Sequence, residues 1–434
     1  MTAQLSVEAP AASVASEQRG LPGQSWRVLF ILTLVHIVYI MDRTVPSIVA
    51  ESVKHEFDLS DGQVGLFTGL AYALSFAVMA LLSGPLVDRF NRVRFLSLLL
   101  VLWSGLTALT STAGSYIALL AMRFGVGASE AGGSPAALSL LSDAFPPKRR
   151  GIAVGIYKLG APLGYFVASA GCGWVAAHYG WRAAFLVAGI PGLLLALAVL
   201  RGVPNLERGV LDHAHAGPRT AQPLRKVLEF LRKGPGVAFL ILGLMAFGFA
   251  SASVQAFLVP FLIRVHDMPL QEASAYYAAA AAVGAISPLL LGIFNDRLTA
   301  KGVQYALYLA AFVCLATGIT GWIMVSAGSD HLVVVGLVLW QIFHIGLPAV
   351  SYATLLTLTP PAMRGTLVAV ILTGTILVGI GIAPVAAGLI SDALGGGTAI
   401  RYSLMIMLSV NLLAFLLYLL GGRQVAAAQR ADQR

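Results

Sequence analysis

The chain is assembled from apolar blocks, each about twenty residues or longer, that follow one another along nearly its whole length. About 20 consecutive apolar residues are what a helix needs to cross roughly 30 Å of hydrocarbon. Inside that medium a segment must satisfy its own backbone hydrogen bonds, which leaves a block of this length little choice but to be helical. The blocks fall at 26–50, 62–86, 94–113, 115–141, 151–176, 183–201, 236–262, 271–294, 303–327, 331–358, 365–390 and 399–421, twelve in all. Only 11% of the residues are charged, against roughly 25% in a soluble domain, too few to cover a water-facing surface of this size. The predicted fold class is an all-α polytopic membrane protein.

Direction across the membrane follows from the loops. With the N-terminus inside, 21 of the 28 Lys and Arg residues fall in cytoplasmic segments, four in outer loops (Lys54, Arg182, Arg264, Arg401) and three within spans. This bias matches the positive-inside rule and predicts an inner (plasma) membrane protein with both termini cytoplasmic. The net charge of +9 is thereby explained without nucleic acid. Cys172 and Cys314 lie inside apolar blocks, so no disulfide framework is expected. Residues 1–25 read as a disordered tail, 26–201 as one six-helix bundle, 202–235 as a linker, 236–421 as a second bundle and 422–434 as a tail. In the linker Leu224, Val227, Leu228 and Leu231 recur at helical spacing among basic residues, the pattern of an amphipathic helix on the anionic inner leaflet.

The halves repeat. Gly84-Pro-Leu-Val-Asp88-Arg89 returns 208 residues later as Gly292-Ile-Phe-Asn-Asp296-Arg297, and Pro146-Pro147-Lys-Arg-Arg150-Gly151 returns 214 residues later as Pro360-Pro361-Ala-Met-Arg364-Gly365. Duplicated bundles of this kind build many transporters, with the site between them at the membrane midplane. Gly84-x-Leu86-x-Asp88-Arg89-x-Asn91-Arg92 resembles the loop 2–3 motif of the major facilitator superfamily, with Asn91 where a second glycine is usual. Asn tolerates the left-handed backbone that such a glycine adopts. Tyr39-Ile-Met-Asp42-Arg43 in span 1 and Arg123-x3-Gly127-x2-Glu130-Ala131 in span 4 resemble the spinster-like group of that superfamily. The resemblance implies two pseudo-symmetric six-helix bundles and a cytoplasmic latch formed by Gly84, Asp88, Arg89 and Arg92. It also implies transport of sphingolipid-like or lysolipid-like molecules.

Two of the 19 acids fall well inside spans, Asp42 and Glu130. Charge at that depth costs on the order of 3 kcal/mol by insertion scales, so it marks function by default. At roughly 1.5 Å per residue, Asp42, Arg123, Glu130 and Lys158 form a ladder of alternating charge through the N-terminal half. A carboxylate whose solvation and arginine neighbour both change as a cavity opens can take a proton on one side and release it on the other. Asp42, Glu130 and Arg123 are therefore the proton-coupling candidates. The repeat offset puts His344 opposite Glu130, while Ala256 and Phe257 stand where Asp42 and Arg43 do. A cationic half facing an apolar, aromatic half suits an amphipathic anion, with Arg43, Tyr39, Lys158, Phe257, Trp340, His344 and Tyr352 as substrate-binding candidates in a cavity lined by spans 1, 4, 7 and 10. Gly155-x4-Gly160-Ala-Pro162-Leu-Gly164 in span 5 reads as close helix packing.

No phosphate-binding loop, metal cluster or nucleophile triad occurs, so no cofactor, metal or enzymatic activity is expected. The chain reads as a monomeric, proton-linked secondary transporter of an organic or amphipathic (lipid-like) anion, surrounded by membrane lipid. The alternatives are a small organic-acid symporter of the same superfamily and a non-transporting receptor on the same fold.

Overall fold

The computed structural model describes residues 22–206, 229–232, 234–360 and 363–432, and among these it is helical with no strand. Among the described residues, ten helices are long and apolar enough to span a membrane. Two more emerge from how the chain breaks. Span 4 is cut into Tyr116–Glu130 and Gly133–Ala144, so neither piece reaches full length. The continuous 115–141 helix expected from sequence is corrected here: the Ala131-Gly132-Gly133 step interrupts it. Spans 5 and 6 run together in Arg149–Gly202, but Gly180 at φ 82, ψ 165 divides them, a backbone that side-chain-bearing residues rarely adopt. Twelve spans in the order inferred from sequence result.

Several expectations about the ends change. The first helix begins at Pro22 and ends at Ile48, and residues 1–21 lie outside the described residues. The last helix runs without a break from Ile400 to Asp432, so 422–432 is not a loose tail. Gln424 accepts a hydrogen bond from the Gly236 amide at 2.8 Å, and Val425 is buried against the C-terminal half. Most of the linker helix, with Leu224, Val227 and Leu228, lies outside the described residues. Its Phe230 and Leu231 pack on the C-terminal core. Asn91 is not left-handed: at φ −63, ψ 114 it caps the third span, accepting from the amides of Val93 and Arg94 at 3.1 Å each.

The buried apolar side chains form three clusters. One joins both halves, from Val45 and Ile48 to Phe257, Phe261 and Trp340. The buried members of the second come from the N-terminal half, with Ile376 and Ile380 of span 11 packed against them, and those of the third come from the C-terminal half. The halves are thus fused at the end that carries the turn between spans 1 and 2, and have separate cores at the end that carries both termini. That is a closed end and an open end, with a cavity between.

Within the N-terminal half, span 5 lies directly on span 1. A Cβ on Gly164 would sit 2.7 Å from the Ile37 carbonyl oxygen, whereas one on Gly155 would meet nothing within 4 Å. Gly164→Val is expected to force the two backbones apart and destabilise the protein by about 1–3 kcal/mol. Gly155→Val should be close to neutral, and comparing the two thermal melts of purified protein checks the contrast.

Candidate functional site

A cavity of about 210 Å³ lies between the halves. Arg43, Thr44 and Ser47 reach it from span 1, Thr68 and Tyr72 from span 2, Arg123 from span 4 and Tyr165 from span 5. The C-terminal wall is Ala252, Gln255 and Ala256 of span 7, Tyr277 of span 8, and Ile380 and Pro384 of span 11. Spans 2 and 11 loosen into π-helical turns at this level, Leu66–Leu70 and Ile376–Ile382, and these carry Thr68 and Ile380. Such turns rotate the following side chains and gather at functional sites.

The charges are arranged by helical phase. Asp42 and Arg43 are neighbours about 100° apart on span 1, so Arg43 faces the cavity half-buried while Asp42 points into the bundle and is completely buried. Glu130 is also completely buried. Neither carboxylate faces lipid, and neither lines the cavity. None of the ion pairs among the described residues involves Arg43 or Arg123. The alternating charges inferred from depth are thus not joined to one another by direct ion pairs among the described residues. Arg123 donates to the main-chain oxygen of Asp42 at 3.5 Å, and the Asp42 carboxylate lies beside the Thr107 hydroxyl.

What stands between the charges is an aromatic ring absent from the sequence-based candidates. Arg43 and Arg123 lie 5.0 and 5.1 Å from the centre of the Tyr72 ring, and the Tyr72 hydroxyl donates to Glu130 Oε2 at 2.6 Å. A cation over a tyrosine face gains about 0.5–2 kcal/mol, more as water is excluded. Arg43 also donates to the Tyr39 hydroxyl at 2.9 Å.

The C-terminal candidates divide differently. Phe257 and Trp340 are fully buried in the core that joins the halves, so they do not form a wall for substrate. Span 10 contributes nothing to the cavity lining. His344 stacks on Trp340 at 4.5 Å and is hydrogen-bonded at 2.9 Å to Gln255, which does reach the cavity. Tyr352 packs on the C-terminal core. Lys158 is exposed, with its ammonium 5.6 Å from the Tyr157 ring, and lies off the cavity wall. His36, between Tyr39 and Tyr157, is a buried histidine that the sequence reading passed over.

The latch motif is partly described. Arg89 is exposed. Arg92 is buried and pairs with Asp143, donates to Ser139 Oγ at 2.9 Å and reaches the Leu206 carbonyl at 2.6 Å, all within the N-terminal half. The side chains of Gly84 and Asp88 lie outside the described residues.

The closed end holds a network that the sequence reading missed. Asp61, completely buried, pairs with Lys54 and accepts from Arg264 Nη1 at 2.8 and 3.0 Å and from Ser391 at 2.6 Å. Arg264 also donates to Glu51 at 2.7 Å. Asp392, at the end of span 11, accepts from the amides of Asp61 and Gly62 at 2.8 Å each. It thereby satisfies the first turn of span 2 from the opposite half. The backbones meet there: a Cβ on Gly65 would lie 2.3 Å from the Pro384 carbonyl oxygen. The repeat contained the signal, since Glu51 and Arg264 lie 213 residues apart, at corresponding ends of spans 1 and 7 with opposite charge. Beside this network Glu56, on the helix Ala50–Phe57, accepts from Arg182 and Trp181, which hold its carboxyl below the usual range.

Two bundles around a central cavity, sealed at one end, define a membrane transporter rather than an enzyme. The chain belongs to the Major Facilitator Superfamily, whose family profile matches residues 32–375. It is similar to an MFS-type efflux pump of Mycolicibacterium smegmatis, 27% identical over 409 residues that cover 93% of this chain and 94% of the relative. A probable galactarate/D-glucarate transporter of Bacillus subtilis is 27% identical over 64% of this chain and 66% of its own length. Among solved structures, a bacterial homologue of the human lysosomal transporter Spinster, inward-facing and unoccupied, superposes with a TM-score of 0.82 at 27% identity, covering 94% of this chain and 99% of that one. The spinster-like resemblance read from the span 1 and span 4 motifs is thus supported along nearly the whole chain.

Removing Arg264 would leave Asp61 and Glu51 without their shared cation in a buried site, a loss of about 3–5 kcal/mol for such pairs. Arg264→Ala should therefore shift the population toward opening at this end. The check is faster modification of a cysteine placed at position 47 by a membrane-impermeant thiol reagent applied only from the closed-end side of oriented vesicles, with the parent slow under the same conditions.

Proposed function

We propose that the protein is a proton-linked secondary transporter of an organic anion, working by alternating access. The observation that carries this reading is the pair of guanidiniums, Arg43 and Arg123, on one cavity wall without a carboxylate partner among the described residues. Two such cations, partly withdrawn from water, favour an anion between them. Asp42 and Glu130, buried just behind, supply the titratable groups. Given the positive-inside loops, the open end faces the cytoplasm and both termini are cytoplasmic. Each chain encloses its own cavity, which supports function as a monomer.

The spinster-like likeness supports an amphipathic, lipid-like anion whose apolar part extends from the cavity toward the open end. A small hydroxylated acid is the second reading. It is favoured by the polar lining, in which Thr44, Ser47, Thr68 and Gln255 accompany the arginines, and by the sugar-acid transporter among the relatives. At the open end the loop 2–3 motif serves as a latch that forms when the halves close there.

The test is transport in proteoliposomes with an imposed pH gradient, offering D-glucuronate and a lysophosphatidic acid. Asp42→Asn and Glu130→Gln, which keep shape and remove titration, should each abolish proton-driven uptake or release while leaving the thermal melt nearly unchanged. Arg43→Ala should raise the concentration for half-maximal transport about tenfold or more, in line with loss of a charged hydrogen bond. A double amide variant that still follows the gradient like the parent would overturn the proton assignment.

A further inference from the structure

A ligand between Arg43 and Arg123 cannot touch either buried carboxylate, since neither Asp42 nor Glu130 reaches the cavity wall. Coupling a bound anion to a bound proton therefore needs a group that belongs to both environments. Tyr72 is that group. Its side chain lines the cavity, its ring lies beside both guanidiniums, and its hydroxyl is hydrogen-bonded to Glu130 at 2.6 Å. The other carboxylate oxygen of Glu130 has no partner. The spacing between Tyr72 and Glu130 is rigid: a Cβ on Gly127 would stand 2.2 Å from the Tyr72 carbonyl oxygen, so spans 2 and 4 are in backbone contact one turn before Glu130.

We infer that Tyr72 is the coupling residue, through whose hydroxyl occupancy of the cavity by an anion and protonation of Glu130 act on each other. This rests on the proton-linked anion reading above. In the empty cavity the phenol donates a hydrogen bond to the Glu130 carboxylate. An anion held by Arg43 and Arg123 competes for the same O–H. When the hydroxyl turns to the anion, Glu130 loses its donor and takes up a proton from water. No covalent bond of the tyrosine changes; one hydrogen bond is exchanged and one proton enters. Anion and proton thus favour each other, the sense required for symport, and by reciprocity the anion binds more tightly as the pH falls. The charged and titratable groups around this pair are Tyr39, Asp42 and Arg43 of span 1 and Arg123 of span 4. Tyr165 and Lys158 of span 5 act on it through Arg43.

Tyr72→Phe keeps the ring and removes only the hydroxyl. Binding of D-glucuronate and of a lysophosphatidic acid is measured by calorimetry at pH 5.5 and pH 8 on the purified full chain. A parallel measurement without ligand follows the distance between spin labels on the open-end tips of spans 2 and 8 across the same pH range. In the parent, affinity should rise at least tenfold at the lower pH; in Tyr72→Phe the change should be under threefold, with the melting temperature retained. Without ligand, the proton concentration at the midpoint of the distance change should differ at least tenfold between parent and variant. Glu130→Gln should flatten both responses. If Glu130→Gln is flat but Tyr72→Phe responds as the parent does, the coupling role of Tyr72 is wrong and the proton-linked reading stands. If Glu130→Gln responds like the parent, the inference falls because Glu130 does not carry the proton; if the double variant with Asp42→Asn also responds like the parent, the proton-linked reading itself falls. A melting temperature lowered in Tyr72→Phe with the pH responses intact would likewise overturn the inference, leaving the residue a packing role.

Discussion

A guanidinium taken out of water must be met by something, and in this protein two of them meet the same ring. Arg43 and Arg123 flank Tyr72, and no carboxylate of the described residues closes on either one. Both guanidiniums lie against the ring and reach the same small cavity. Had Asp42 and Glu130 each paired directly with an arginine, the cavity would present a neutral wall, and the proposed anion would have little to draw it. The site exists because the charges of the N-terminal half are kept apart by phase on their helices and by an aromatic spacer.

On the proposed alternating-access reading, the remainder of the architecture follows from the need to expose that wall to one side at a time. The core that joins the halves lies at one end, and at the other end each half has a core of its own. Each half can therefore rotate without losing its packing, provided that the joined end is held by contacts able to break as a unit. Asp61, Arg264, Glu51 and Lys54 form such a unit: strong while water is excluded, and readily replaced by water once it is admitted. Arg92, by contrast, binds span 3 to span 4 and to the chain leaving span 6, stiffening the N-terminal half.

Much of this was legible in the sequence because a charge within an apolar block stands out sharply from its surroundings. The twelve spans, and Asp42, Arg43, Arg123 and Glu130 as the residues of interest, could all be seen that way. Tyr72 could not, since one aromatic residue among many in a hydrophobic helix carries no such contrast. Phe257 and Trp340 show the converse: their chemistry suited a substrate wall, but side-chain direction places them in the core. The closed-end network was hidden for another reason. Its contacts between the halves join residues 203 to 331 apart at the edges of blocks, where a charge looks like an ordinary boundary residue. The break after Glu130 was present as Ala131-Gly132-Gly133, but small residues signal close packing and interruption alike.

The two amides that Asp392 receives from the opposite half have a geometric meaning beyond their strength. Ion pairs among long side chains tolerate sliding, because Arg264 and Lys54 can bend to follow a displaced carboxylate. A helix terminus cannot bend. If span 11 slipped along span 2 by a single turn, about 5.4 Å, both amides would lose their acceptor, and the glycine-sized gap that admits the Pro384 carbonyl would meet side chains instead. The closed end is therefore indexed as well as sealed. If the halves rock apart as proposed, this contact returns them to one axial position, and the cavity walls come back in the same register.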